Sequence, residues 1–551
     1  MIQIARNACG YEPNERKNEG VLIVNIPPLE KRVTIMDQIL RDMPGERLFF
    51  MPISRRLVHV IEQGETQFEE KLVRDPRAPV LVDVGAAYLR VVLSRSGKVL
   101  ALVNKKLVPA DPRRDDMEAF LDVVAKAQTR QRALRMLSTT PVMMQDGVIV
   151  CEPGYHERSE ILIQTSGMRF KDPDPDEILS AAKCRALMDR DFSAFFDEFP
   201  FVRERPDQPW YETQSFSIAP SGALCVALRN LLPCTPAHCI SAPAQRTGKT
   251  FLVQLVSVLT TGIEPTALSY DGASEFGKAM LPIIEAGDRL LLVDNVDQVV
   301  NNNKLAIALT QKGFIKWRVL GQSTLKTVEN SGVFFFTGNQ LQFTGEMPTR
   351  CVMSQIDSGM ERPEDRRFHR ARALDEVKNA HPRVVMTLLR VARAHMRAGF
   401  PGFAKLQKPM GGFDEYSRWV RGALVWMGYE DPKSTQSEIR ANDPGLEADE
   451  ALVAMVREVI GDSECSVREI KDRLNSGDSS RFMELTHHKP LEAFSELRVG
   501  QYFGRLRNRW FGGYRLVWGK REDNKRKWRV EMRQQEINRG KSMQNGNEEP
   551  L

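Results

Sequence analysis

One stretch constrains this chain more than any other: Ile240-Ser-Ala-Pro-Ala-Gln-Arg-Thr-Gly-Lys-Thr250, followed by the apolar run Phe251, Leu252, Leu255, Val256 and Leu259. It reads as strand, loop, helix, and Thr247-Gly248-Lys249-Thr250 is the ending of a phosphate-binding loop. Backbone N–H groups at a helix start point outward, and the helix dipole favours negative charge there. Residues Ala244, Gln245, Arg246, Thr247 and Gly248 form the expected cradle, and Gly248 lets the backbone approach an anion without a Cβ clash. Lys249 carries a point charge toward the terminal phosphates, and the Thr250 hydroxyl is a ligand for Mg²⁺. The pattern departs at Pro243, where such loops carry a first glycine. Proline has no N–H and cannot take a positive φ, so the chain must turn into the loop differently.

About 45 residues on, Gly287-Asp-Arg-Leu-Leu-Leu-Val-Asp294-Asn295 reads as a buried strand ending in an acid, where Asp294 can complete the Mg²⁺ shell. Asn295 stands where a water-polarising Glu is common, and an amide is no base. Either Glu275 or Asp297 substitutes, or hydrolysis is slow. A third buried strand, Val333 to Asn339, again ends in a polar residue, and Asn339 is placed to bond a γ-phosphate or the attacking water. Arg350 follows, a candidate finger toward the phosphate of a neighbouring subunit.

Around these motifs the chain has ordinary globular composition, 42% hydrophobic and 27% charged, which excludes fibrous and wholly disordered classes. No apolar run reaches the roughly 20 residues that span a bilayer, and the N-terminus lacks a signal peptide, so a cytoplasmic protein without membrane contact is expected. The eight cysteines have no framework spacing and read as reduced thiols. Cys234, His238 and Cys239 lie close together without a second ligand pair for zinc. The Asp172-Pro-Asp-Pro-Asp176 run reads as an extended linker.

The expected organisation is a loose N-terminus (1–20), an N-terminal α+β accessory region (21–177), an α/β core (178–362) and a helical lid (363–430). A polar linker (431–448), a DNA-binding module (449–533) and a disordered tail (534–551) follow. Within the accessory region, Val21 to Val24, Val80 to Val84, Val91 to Leu93 and Val148 to Cys151 read as strands.

The net charge of +6 is unevenly spread: residues 497–541 carry 14 Lys and Arg against 4 Asp and Glu. Tyr502, Phe503, Trp510, Phe511, Tyr514, Trp518 and Trp528 are interleaved with them, which a simple solvated tail would lack. Helix 449–460 ends at Gly461, and Ser466-Val-Arg-Glu469 is a capping box opening the next helix. A further helix, Gln501 to Trp510, exposes Arg505, Arg507 and Arg509. Tyr514 to Trp518 then pairs with Lys527 to Glu531. This is the outline of a winged helix, with Lys520, Arg521, Lys525, Arg526 and Lys527 on the wing as phosphate contacts.

Taken together, A-P-x-x-x-T-G-K-T, L-L-x-V-D-N-V, R-V-L-G (318–321), T-G-N (337–339), Arg350, E-R-P-E-D-R (361–366) and G-G-F-D-E-Y-S-R-W-V-R-G-A-L-V-W-M-G (411–428) resemble the helicase portion of phage, plasmid and integrative-element replication proteins. These are AAA+ ATPases related to superfamily 3 and MCM-like helicases. The resemblance spans about 140–430 and is looser over 45–140. It implies an AAA+ P-loop core, ATP and Mg²⁺ as cofactors, and a ring, commonly a hexamer, moving on single-stranded or forked DNA. It assigns roles to Lys249, Thr250, Asp294, Asn339 and Arg350. An Asp-Asn pair is usual at the second strand in that family. Any primase is expected on a separate polypeptide. Two functions stay open: an ATP-driven helicase, and an ATP-switched initiator or scaffold that assembles on DNA without unwinding it.

Overall fold

The computed structural model describes residues 22–25, 28–43, 48–61, 78–318, 325–366, 374–476, 495–522 and 525–533. The expected loose N-terminus, the polar tail and most of the R-V-L-G run lie outside these residues. The chain divides into two compact units, Met1–Leu341 with Thr349–Gln436, and Gln342–Pro348 with Ser437–Leu551.

At the centre of the first unit is a parallel five-stranded sheet, giving a mixed α/β fold. Its elements are β1 (Ala237–Ala242), α1 (Lys249–Thr261), β2 (Thr266–Leu268), α2 (Ala273–Glu285), β3 (Leu290–Val296), β4 (Val333–Asn339) and β5 (Cys351–Gln355). The strand order is β2-β3-β4-β1-β5. β1 is buried along its whole length and β4 at all but its last residue, as expected where helices cover both faces of a parallel sheet. Ile240, Phe335, Leu255 and Val256 share one core with helices Gln214–Ala227 and Leu374–Arg397. Between β3 and β4 stands an antiparallel hairpin, Phe314–Arg318 with Leu325–Glu329.

The accessory region builds a four-stranded sheet, Val80–Asp83, Arg56–Ile61, Leu48–Met51 and Arg132–Ala133 in that order. Helices Leu29–Asp42, Ala86–Arg95 and Arg114–Ala125 pack beside it around Met36, Phe50, Leu89 and Phe120. It is bonded to the core sheet. Arg289, at the start of β3, donates to Ser138 Oγ (2.9 Å) and to the Val226 carbonyl. Thr139 Oγ1 donates to the carbonyl of Thr261, the last residue of α1 (2.9 Å).

Two expectations are corrected and a third gains detail. Val91 to Leu93 is helix, not strand: Leu89, Val92 and Leu93 recur at helical spacing and are buried, and that packing outweighs β-branched propensity. The Asp172–Asp176 run, read as an extended linker, has neither helix nor strand and is held by a contact the sequence did not signal. The Arg393 guanidinium grips the Asp172 carboxylate and donates to the Asp174 carbonyl (3.0 Å). The stretch 431–448 is largely helical, with Pro432–Thr435, Gln436–Ala441 and a helix starting at Pro444 rather than 449. Asp443 caps that helix through the N–H groups of Gly445 and Leu446, and proline at the first helical position loses no hydrogen bond.

The second unit places helices Pro444–Ile460, Val467–Ser476 and Glu496–Leu506 against an antiparallel sheet of Trp510–Phe511, Tyr514–Glu522 and Lys525–Met532. The capping box forms: Ser466 N donates to Glu469 Oε2 (2.7 Å) and Glu469 N to Ser466 Oγ (3.3 Å). The last helix stops at Leu506, so Trp510 opens a strand instead of closing a helix. The hairpin extends to Glu522 and Lys525, further than the sequence spacing indicated. Among the described residues no helix is long and apolar enough to cross a membrane.

Candidate functional site

All five core strands run parallel, so their carboxyl ends share one edge, and loops there converge beside β1, where ligands of open α/β sheets bind. The chain leaves β1 at Ala242 and reaches α1 at Lys249. Pro243 needs no positive φ, because the left-handed turns fall on Arg246 (φ 58°) and Gly248 (φ 97°). Gly248 is the N-cap residue of α1, and the Phe199 ring lies 3.4 Å from where its Cβ would be. Thr247 Oγ1 donates back to the Ala244 carbonyl (3.2 Å). Gln245 and Arg246 face solvent, and Arg246 is 3.7 Å from Glu364.

Three strands meet at this loop. The Lys249 ammonium donates to Asn339 Oδ1 at the end of β4 (2.7 Å), to the Ala244 carbonyl (2.9 Å) and to Thr247 Oγ1 (3.3 Å). Burial pulls its pKa below the ordinary lysine value, and the nearby Asp294 carboxylate opposes part of that shift. Thr250 Oγ1 donates to Asp294 Oδ1 at the end of β3 (2.8 Å). Thr337 also donates to Asp294 Oδ1, and Thr337 Oγ1 accepts the Asn295 N–H (3.1 Å). Thr337 was missed in the sequence reading. Strand alternation was the available signal, since residues 337 and 339 share a face of β4.

Asn295 sits in a bulge, where the β3–β4 register shifts between Val293 and Val296, and its φ is 53°. Asparagine is among the few non-glycine residues that enter this region readily, so the amide at this position is matched to the backbone. Its side chain is exposed. Glu275 lies in the first turn of α2 and pairs with Lys278 (2.7 Å); among the described residues no hydrogen bond links it to the loop. Arg350 immediately precedes β5, and its carbonyl accepts the N–H of Ala237, the first residue of β1. It therefore lies at the opposite sheet edge from the loop, about 17 Å away along β1.

The donors fit a nucleoside triphosphate with a divalent cation: turned backbone at a helix start, one buried ammonium, and a hydroxyl beside a carboxylate. Cys234, His238 and Cys239 do not converge on a metal. His238 Nε2 is bonded to Ser221 Oγ (3.0 Å), and Cys234 Sγ faces the Gly412 carbonyl.

In the second unit the basic residues are organised by aromatic rings. Arg507 and Arg526 lie 3.5 and 3.4 Å from the Trp518 ring centre, and Arg515 and Arg533 lie over Trp510. Arg505 covers Tyr502 and Arg509 covers Phe511. Lys520 and Arg521 are on the outgoing strand, Lys525 to Lys527 on the returning one, whose pairing with Glu522 begins at Lys525. The Lys525 side chain is outside the described ones.

No family model and no curated protein matches the sequence. Among the solved structures the chain is similar to are two of the apo A form of the C-terminal region of NrS-1. One has a TM-score of 0.37 at 9% identity, covering 90% of this chain and 99% of that one. The other has a TM-score of 0.30 at 9% identity, covering 61% and 78%. At these scores the likeness says nothing of the site, whose chemistry rests on its own geometry.

Proposed function

We propose that this chain is an ATP-dependent DNA helicase serving replication of a phage or mobile element, with an AAA+ P-loop core, a helical lid over 363–430 and a C-terminal winged helix. The observation that carries the reading is the convergence of Lys249, Thr250, Asp294 and Asn339, drawn from three strands, on one loop. Residues 244–250 hold the phosphates, and Thr250 with Asp294 holds Mg²⁺. The metal, when bound, offsets charge on the phosphate oxygens. Lys249 and Asn339 are held beside the loop by a hydrogen bond to each other, which a phosphate would have to loosen. Arg350, being too far to serve its own loop, is assigned to the loop of an adjoining copy, which calls for a ring, with a hexamer as the expected size. The guanidinium cluster of the C-terminal unit binds DNA phosphates. The test is strand displacement from a forked duplex with ATP, wild type against Lys249→Ala; no displacement by wild type, with ATP bound, refutes the motor.

Two observations support a second reading, an ATP-switched initiator or scaffold that assembles on DNA without unwinding. Asn295 rather than a carboxylate follows Asp294, and Glu275 is engaged by Lys278. ATP-dependent assembly without displacement is the outcome that selects it.

A further inference from the structure

The C-terminal unit holds its arginines against aromatic rings, and that arrangement bears on which form of DNA suits it. Trp518 is an exposed tryptophan, yet Arg507 and Arg526 lie 3.5 and 3.4 Å from its ring centre. Two guanidiniums so close to one centre must take opposite faces, so both faces of the ring are covered. Trp510, also exposed, carries Arg515 and Arg533. Single-stranded bases are held by stacking on open aromatic faces. A covered ring serves differently: it fixes a planar cation whose N–H edge stays available to a phosphate oxygen. Residues 497–541 supply 14 Lys and Arg against 4 Asp and Glu, a charge that suits the dense backbone of a duplex.

Helix Glu496–Leu506 leads directly to Arg507. The Ser495 hydroxyl caps its start, accepting the Arg498 N–H (3.4 Å). Val499, Phe503 and Leu506 recur at helical spacing and enter the core of the unit. The opposite stripe carries Leu497, Gln501, Gly504 and Arg505, with Arg498 at its edge, and all five are exposed. Gly504 is a separate observation. Its φ is not positive, and a Cβ there would meet nothing within 4 Å. Neither backbone nor packing among the described residues asks for glycine, and glycine inside a helix is less stable than alanine. What it supplies is a flat outer surface, over which another body can approach the backbone closely.

We propose that this face enters the major groove of duplex DNA and reads base pairs, Gln501 on an adenine edge and Arg498 on a guanine edge, while Arg507 and Arg526 hold flanking phosphates. The major groove admits an α-helix, and those two side chains match those two base edges with paired hydrogen bonds. The inference rests on the reading that the C-terminal unit binds DNA, and it names the form taken there: a duplex of preferred sequence.

The full chain, without nucleotide, is incubated with a random-sequence duplex library, and the bound molecules are sequenced over successive rounds. Affinities for the enriched duplex, a scrambled duplex and the single strand are then measured by fluorescence anisotropy. A motif containing adenine and guanine is expected, bound about tenfold or more tighter than the scrambled duplex. Gln501→Ala and Arg498→Ala should each remove about tenfold of that preference, each at one base pair. Arg507→Ala with Arg526→Ala should weaken all duplexes alike. Gly504→Ala should raise the thermal midpoint yet weaken binding of the enriched duplex severalfold, a combination that a merely structural glycine would not give. Duplex binding with no enriched motif, or a motif indifferent to both Gln501 and Arg498, overturns the proposal, as does a single strand bound more tightly than the enriched duplex. If neither form of DNA binds, the DNA reading of the unit falls with it.

Discussion

Replacing Lys249 by alanine tests the phosphate loop most directly. The ammonium is buried and half desolvated, so its attraction for a phosphate is neither the roughly 1 kcal/mol of bulk water nor the interior limit. At an effective dielectric of about 20 and a separation near 4 Å, one unit charge contributes about 4 kcal/mol. Part is offset, because Lys249 must loosen, not lose, its bonds to Asn339, Ala244 and Thr247, at a cost of about 1–2 kcal/mol for the three together. A net loss of about 2–3 kcal/mol follows, which raises the nucleotide Kd about 30- to 150-fold. The fold should hold within about 1–2 kcal/mol, since Asn339 and Ala244 are half-buried and water can reach them, while buried Thr247 keeps its bond to the Ala244 carbonyl. Fluorescent ADP titration with and without Mg²⁺ measures the first quantity, and urea unfolding the second. A Kd that moves less than threefold in a protein of unchanged stability would show that Lys249 serves the loop's own structure and not a ligand.

Three other outcomes are expected. Asp172→Asn breaks an ion pair whose side chains are 4% and 11% exposed; it should cost about 3 kcal/mol in denaturant unfolding, while Asp172→Leu with Arg393→Met should restore much of the loss. His381 is buried, with Nδ1 donating to the Leu259 carbonyl, and burial lowers its pKa to about 4. The unfolded chain takes up that proton below about pH 6.5, so stability should fall as pH drops from about 6.5 toward 4. A His381→Leu protein should show a slope shallower by about 1.4 kcal/mol per pH unit in that window; equal slopes would contradict a neutral buried imidazole. Arg507→Ala with Arg526→Ala should weaken DNA binding and reduce the log K against log salt slope by about 2, and an unaltered slope removes the Trp518 pair from the DNA surface.

The central sheet was legible because its strands are short, fully apolar runs bounded by glycine and polar residues, and because each ends in the residue it delivers: Lys249 after β1, Asp294 on β3, Asn339 on β4. The accessory region was less so. Val91 to Leu93 carries strand propensity, and burial of Val92 and Leu93 in a core shared with Met117 and Phe120 favours the helix instead. The fixing of Asp172 by Arg393, 221 residues on, has no local signature at all. Nor does the bulge at Asn295, which rests on the pairing of β3 with β4. The arginine–tryptophan stacks were foreshadowed only as a mixture of residue types, because ring-to-guanidinium pairing crosses from helix end to hairpin.

Helix α1 joins two distant places. Its first residue is Lys249, and the carbonyl of its last, Thr261, is held by the Thr139 hydroxyl of the accessory region. Thirteen residues make a rod about 20 Å long, packed on all but one side and too stiff to bend under small loads. The same rod therefore sets the spacing between the loop and the Thr139 hydroxyl.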